Sequence, residues 1–226
     1  EDNRLAESMT SIGNGHMGMR GTFEEEYTGD THQGMYVAGV YYPDKTRVGW
    51  WKNGYPEYFA KVLNAVNIMG LKVSVNGKAV DLNTWEVIDF KRELDMQHGV
   101  LTRTMLLKNG VEETKVESKR FFSIVDKEIA ALQYTVTPVN FEAEIVIESY
   151  LDADVENEDS NYDEKFWLPV EHGIEERFGY VTSKTKKLDW HVTAAMITDV
   201  EGARCEVVDG NTQYVANRFT KQAAVG

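Results

Sequence analysis

Two Asn-Gly dipeptides, Asn76-Gly77 and Asn109-Gly110, each separate a pair of stretches in which apolar and polar residues alternate, and nothing else in the chain limits its fold so strongly. Both central positions of a type I′ hairpin turn need positive φ, which Asn-Gly tolerates, and the twist of that turn matches the strands it joins. Residues 71–75 and 79–82 flank the first dipeptide, and residues 101–108 and 111–122 flank the second. Asp209-Gly210-Asn211 carries a weaker version of the same signal. Three hairpins imply mostly antiparallel pairing. Two further stretches are apolar on nearly both strand faces. In residues 128–137, Ala130, Leu132, Tyr134 and Val136 alternate with Ile129 and Ala131. In residues 190–196, Trp190, Val192, Ala194 and Met196 alternate with His191, Thr193 and Ala195, followed by Ile197. Such strands suit the middle of stacked sheets. Only residues 56–67 could hold a short helix. The pattern predicts an all-β chain: a large antiparallel β-sandwich of two stacked sheets, formed as one domain over residues 1–226.

With 42% hydrophobic residues in a chain of 226, there is enough apolar surface to fill such a sandwich. The single cysteine, Cys205, cannot form an intramolecular disulfide. No run of about eighteen apolar residues and no charged-then-apolar leader marks membrane insertion or export. A cytoplasmic setting without a membrane partner is expected. The start at Glu1 rather than Met is what a piece of a longer chain would show. The net charge of -13, from 24 Lys and Arg against 37 Asp and Glu, argues against nucleic acid, whose binding needs clustered cations.

Few segments invite a chemical role. Gly13, Gly15 and Gly18 match the letters of a dinucleotide loop, but Met19 to Phe23 reads as a strand where that loop needs a helix, so a tight turn between strands is expected. Asp152, Asp154 and Glu156 begin like a calcium loop, but Asn157 stands where glycine is required, so a solvated or interface-forming loop is expected instead. The five histidines have no metal-ligand spacing, and no metal or cofactor is expected. Acidic pairs such as Glu24 and Glu26 are too common in so acidic a chain to single out, and a solvated face is their expected setting. The aromatic stretch Trp50-Trp51-Lys52-Asn53-Gly54-Tyr55-Pro56-Glu57-Tyr58-Phe59 is more distinctive, because flat rings beside polar groups can stack on a sugar or pack against a neighbouring domain.

Three segments together carry a family resemblance: residues 11–24 (SIGNGHMGMRGTFE), 48–59 (VGWWKNGYPEYF) and 157–167 (NEDSNYDEKFW). They resemble the N-terminal domain of glycoside hydrolase family 65, which holds maltose, trehalose and kojibiose phosphorylases, and the likeness runs over nearly the whole chain. The resemblance implies a sandwich of two large antiparallel sheets, followed in the parent protein by a helical linker, an α/α barrel bearing the catalytic glutamate, and a small C-terminal β domain. In such enzymes phosphate attacks the anomeric carbon of an α-linked disaccharide while a glutamic acid protonates the leaving oxygen, giving β-glucose 1-phosphate with inversion. Phosphate replaces both the water and the base of an inverting hydrolase. The general acid and the phosphate ligands belong to the barrel, so no catalytic residue is assigned within this chain.

The implied partners are the barrel of the same polypeptide and a second copy in a homodimer, with the disaccharide and inorganic phosphate as substrates of the whole enzyme. Two roles for the domain remain open. It can be an assembly module, with Trp50, Trp51, Tyr55, Phe166 and Trp167 as apolar contacts and Lys52, Asp159, Asp163 and Glu164 as polar ones. It can also be a carbohydrate-binding module, with Trp50, Trp51, Tyr55 and Tyr58 as the platform.

Overall fold

The computed structural model describes residues 2–46, 54–158 and 165–226. A short helix α1 (Asn3–Met9) opens the chain, its first turn capped by the Asp2 carboxylate, which accepts from the Leu5 amide. Strands follow in the order β1 (Ile12–Gly13), β2 (Met17–Met19), β3 (Met35–Val37), β4 (Tyr41–Lys45), β5 (Tyr58–Val62), β6 (Asn67–Val75), β7 (Lys78–Ala79), β8 (Glu86–Asp95) and β9 (Val100–Asn109). The remainder are β10 (Glu112–Phe122), β11 (Ala130–Pro138), β12 (Ala143–Asp152), β13 (Trp167–Glu175), β14 (Phe178–Thr185), β15 (His191–Ile197), β16 (Arg204–Asn211) and β17 (Tyr214–Ala223). The architecture is the expected all-β one, and every strand pair within its sheets is antiparallel.

A four-stranded sheet in the order β11-β10-β9-β8 faces a five-stranded one in the order β16-β17-β12-β6-β7. Leu71, Val73 and Val75 of β6 and Ile145 of β12 meet Met105, Leu107 and Val116 of the facing sheet, which is the core of the sandwich. A three-stranded sheet β13-β14-β15 packs on the five-stranded one, through Val181 and Ala194 against Leu151 and Val215. At one end, Ile12, Met19, Met35, Leu63, Phe122, Phe166 and Trp167 form a further apolar cluster under the β1-β2-β3 sheet.

The hairpin at Asn76-Gly77 is the predicted one, with both residues at positive φ (49° and 74°) between Val75 and its partner Lys78. The second hairpin forms, but not as a type I′ turn on Asn109-Gly110. Asn109 pairs with Glu112, so Gly110 (φ 67°) and Val111 are the central residues, the type II′ arrangement. Sequence alone placed the turn one residue early. That register would set Glu112 opposite Leu107 in the core, whereas the observed one sets Thr114 there and Val116 opposite Met105. Asp209-Gly210-Asn211 is not a turn either: β16 runs through it to Asn211, which pairs with Tyr214, and the ladder is bulged between Asp209 and Asn211. Gly210 is needed for close approach, since a Cβ there would fall 2.6 Å from the Tyr214 ring.

Three other expectations are overturned. Residues 56–67 are no helix: β5 pairs with β4, and Lys61 is buried against Asp44, a tertiary pairing that local propensity does not register. Neither β11 nor β15 is a central strand; each lies at the edge of its sheet. In β15 the alternation is one-sided, with Ala194 buried while His191, Thr193, Ala195 and Ile197 are exposed.

Candidate functional site

The two aromatic motifs converge at the β4-β5 hairpin. Phe166 lies 4.6 Å, centroid to centroid, from Tyr42 of β4, and the Lys61 ammonium sits 5.0 Å from the Phe166 ring centre. Lys61 also pairs with Asp44 at 2.7 Å, both side chains buried, so the cation is compensated on one side by a carboxylate and on the other by a ring face. Two asparagines fix the junction. Asn64 donates to Glu156 O and accepts from the Met35 amide, while Asn157 donates to Val62 O at 2.6 Å and accepts from the Asn64 amide. The Trp167 indole donates to Asn64 O at 2.8 Å. Both ends of the 157–167 segment are therefore pinned to residues 62–64, which begin three positions beyond the end of the other aromatic segment.

The candidate aromatics divide sharply by exposure. Phe166 (2% exposed) and Trp167 (6%) fill the domain's own core, whereas Tyr55 (58%) and Tyr58 (51%) face outward. Phe59, Val62, Tyr41 and Trp190 are also exposed, and the Tyr41 and Trp190 rings lie 6.3 Å apart. Trp50, Trp51 and Lys52, with Asp159, Asp163 and Glu164, fall outside the described residues. Two crevices adjoin the hairpin and share Tyr36 and Val62 as walls. One, of about 410 Å³, is lined further by His32, Gln33, Asn64 and Asn157; the other, of about 450 Å³, is lined by Gly15, His16, Val37, Val40 and Tyr41.

The glycine-rich segment makes a tight turn between β1 and β2, as expected, but the strand expected over Met19 to Phe23 is not there: β2 runs from Met17 and ends at Met19. The Asn14 side chain accepts from the His16 and Met17 amides and donates to Ser123 O and Lys127 O, tying the turn to the β10-β11 connection.

Glu24 departs from expectation. It is not on a solvated face but buried with Glu25 between the sheets, on a segment whose Glu25 forms a parallel bridge to Leu71. Glu24 takes Arg103 at 2.6 Å and Arg120 at 3.1 Å, and Glu25 takes Arg103 through both guanidinium ends and accepts from the Tyr134 hydroxyl at 3.0 Å. Burial raises the Glu24 pKa, but Arg103 and Arg120 outweigh it and hold the carboxyl below the ordinary glutamate range. Burial, aided by Glu25, pushes the Tyr134 phenol far up. A carboxylate held ionised by two arginines is a poor proton donor, so Glu24 is not the raised-pKa acid that glycosidic cleavage requires. Among the described residues no group of three metal-ligating side chains occurs, and no helix is long and apolar enough to cross a membrane. The periodicity did hold a signal for the cluster: Arg103 interrupts the inward row Leu101, Met105, Leu107, and Arg120 follows Val116 and Ser118 in the next strand.

The sequence matches the family described as glycosyl hydrolase family 65, N-terminal domain, over residues 1–226. It is 44% identical over 227 residues to maltose phosphorylase of Bacillus subtilis, covering 98% of this chain and 30% of that protein. It is 35% identical over 158 residues to kojibiose phosphorylase of Thermoanaerobacter brockii, covering 70% of this chain and 19% of that one. A solved structure titled putative kojibiose phosphorylase from human microbiome superimposes with a TM-score of 0.86 over 98% of this chain and 29% of its own length, at 23% identity. The chain thus spans less than a third of each of these relatives.

Proposed function

The chain belongs to glycosyl hydrolase family 65 as its N-terminal domain, and on that premise we propose that it is a non-catalytic assembly module of an inverting disaccharide phosphorylase. The parent reaction on this reading is maltose plus phosphate to β-glucose 1-phosphate plus glucose, in a cytoplasmic homodimer. Maltose is preferred over kojibiose or trehalose because 44% identity to a maltose phosphorylase extends over nearly the whole chain. The observation that carries the assembly role is the exposure of Tyr55, Tyr58 and Val62, with Phe59 exposed on the other face of β5, on a hairpin whose stem is locked by Lys61, Asp44, Asn64 and Asn157. A rigid stem under exposed rings suits docking against the catalytic part of the same polypeptide, since exposed aromatic clusters mark contact surfaces.

Phosphorolysis of maltose is measured with the purified chain and with the full-length polypeptide. Glucose 1-phosphate is expected only from the latter, and phosphate-dependent turnover by the chain alone would refute the non-catalytic role. The competing carbohydrate-binding role draws on the same exposed Tyr55 and Tyr58. Retardation of the chain in a maltodextrin gel, abolished by Tyr58→Ala, would favour it over docking.

A further inference from the structure

We propose that the arginine cluster inside the sandwich holds a small monovalent anion of the halide class, seated against Arg120 and Arg92. The inward face of the four-stranded sheet carries three arginines close together. Arg92 of β8 lies directly opposite Arg103 of β9, and Arg120 of β10 lies opposite Leu101, two residues along. The Arg92 and Arg103 guanidinium groups both stand over the Phe23 ring, at 4.7 and 4.8 Å from its centre. Arg20 joins from the segment after β2, its Nη2 lying 3.8 Å from Glu7. Among the described residues three carboxylates are ion-paired with this group of four guanidinium groups, Glu7, Glu24 and Glu25, so one positive charge remains over.

The hydrogen bonds leave the same surplus. Glu24 and Glu25 are committed to Arg103, Arg120 and Tyr134, and Glu7 accepts from Asn3, Thr31 and the His32 amide. Arg120, fully buried, places one nitrogen on Arg20 O at 2.8 Å. Its Nη1 is ion-paired with Glu24 at 3.1 Å, whereas its Nε, with Arg92 Nη1 and Thr22 Oγ1, is buried and has no hydrogen-bond partner among the described residues. Every one of these atoms can donate. A ligand that only accepts suits them, whereas a water would bring two hydrogens needing acceptors and leave the charge in place. One surplus charge selects a monovalent ion, and enclosure selects one that sheds its hydration cheaply, which disfavours phosphate or sulfate. Arg92, only partly buried, gives the route from solvent. Burial lowers the pKa of Arg92, with Arg103 adding to it, and of Arg120, against the pull of Glu24, whereas Arg103, which meets both Glu24 and Glu25, is raised.

The test uses the full-length protein. Crystals grown in sodium bromide are expected to show an anomalous peak within hydrogen-bond reach of Arg120 Nε or of Arg92 Nη1. Melting temperature is expected to rise saturably when chloride replaces gluconate at constant ionic strength, and to lose that rise in Arg92→Met. The Arg92 variant keeps the test open if Arg120→Met fails to fold. A water at that position with no bromide peak, or a halide response unchanged in Arg92→Met, overturns the proposal.

Discussion

Residues 165–167 and 54–59 are both rich in aromatics, and they use them in opposite ways. Phe166 and Trp167 point into the end cluster formed with Met35, Leu63 and Met69, while Tyr55, Tyr58 and Phe59 stay outside on the hairpin that Phe166 supports. One segment holds and the other presents. Aromatic content alone does not distinguish a core from a contact surface; what decides is whether other elements cover the ring, as the end cluster covers Phe166 and Trp167.

The comparison is broken or sharpened by substitutions of decreasing effect. Trp167→Ala should cost the chain about 3–5 kcal/mol, through a large cavity and an orphaned Asn64 carbonyl. Urea unfolding measures it, and a loss below about 1 kcal/mol would mean that this segment does not hold the core. Glu24→Gln, which leaves Arg120 and Arg103 under-compensated, should also cost about 3–5 kcal/mol. The pH dependence follows from the depressed Glu24 carboxyl. Its folded pKa lies below the ordinary value of 4.5, so its contribution is full well above pH 4.5 and is lost as pH falls from there toward the folded value. Acid titration of unfolding free energy should show a loss in that window that Glu24→Gln removes.

Asn157→Ala should cost about 1–3 kcal/mol by stranding Val62 O and the Asn64 amide. Gly110→Val, in a turn far from both aromatic segments, should also cost about 1–3 kcal/mol because valine is strained at positive φ, while leaving the patch unaltered. Tyr58→Ser is the smallest, within about 0.5 kcal/mol in the isolated chain, yet it should lower the melting temperature of the full-length protein clearly more than that of the isolated chain. An equal effect in both would sink the presenting role.

Much of the fold was legible because strand alternation and Asn-Gly turns are local. Asn76-Gly77 was read correctly because the contact it makes outside the hairpin, Asn76 with Glu144 of β12, accepts the turn that the dipeptide favours locally. Asn109-Gly110 was misplaced by one residue because the facing sheet, through Met105 and Val116, decides the register. The helix expected at 56–67 failed for the same reason, since Lys61 meets Asp44 only once β4 and β5 pair. Among the site residues, Tyr55 and Tyr58 could be named from composition, but their exposure and the burial of Phe166 and Trp167 depend on packing. Glu24 read as solvated because its counter-ions, Arg103 and Arg120, lie 79 and 96 positions away in the sequence.

The segment carrying Glu24 and Glu25 also bears on how the molecule assembles in time. Its partners are distant along the chain: Thr28 bonds Asp81, Glu25 meets Arg103, and Tyr134 reaches back 109 residues to Glu25. Closing loops of that length before β9, β10 and β11 exist would cost entropy with no contacts to offset it. The order of synthesis and the order of docking therefore run opposite ways here: residues 22–28 emerge early, but they can seat only after strands made much later have paired.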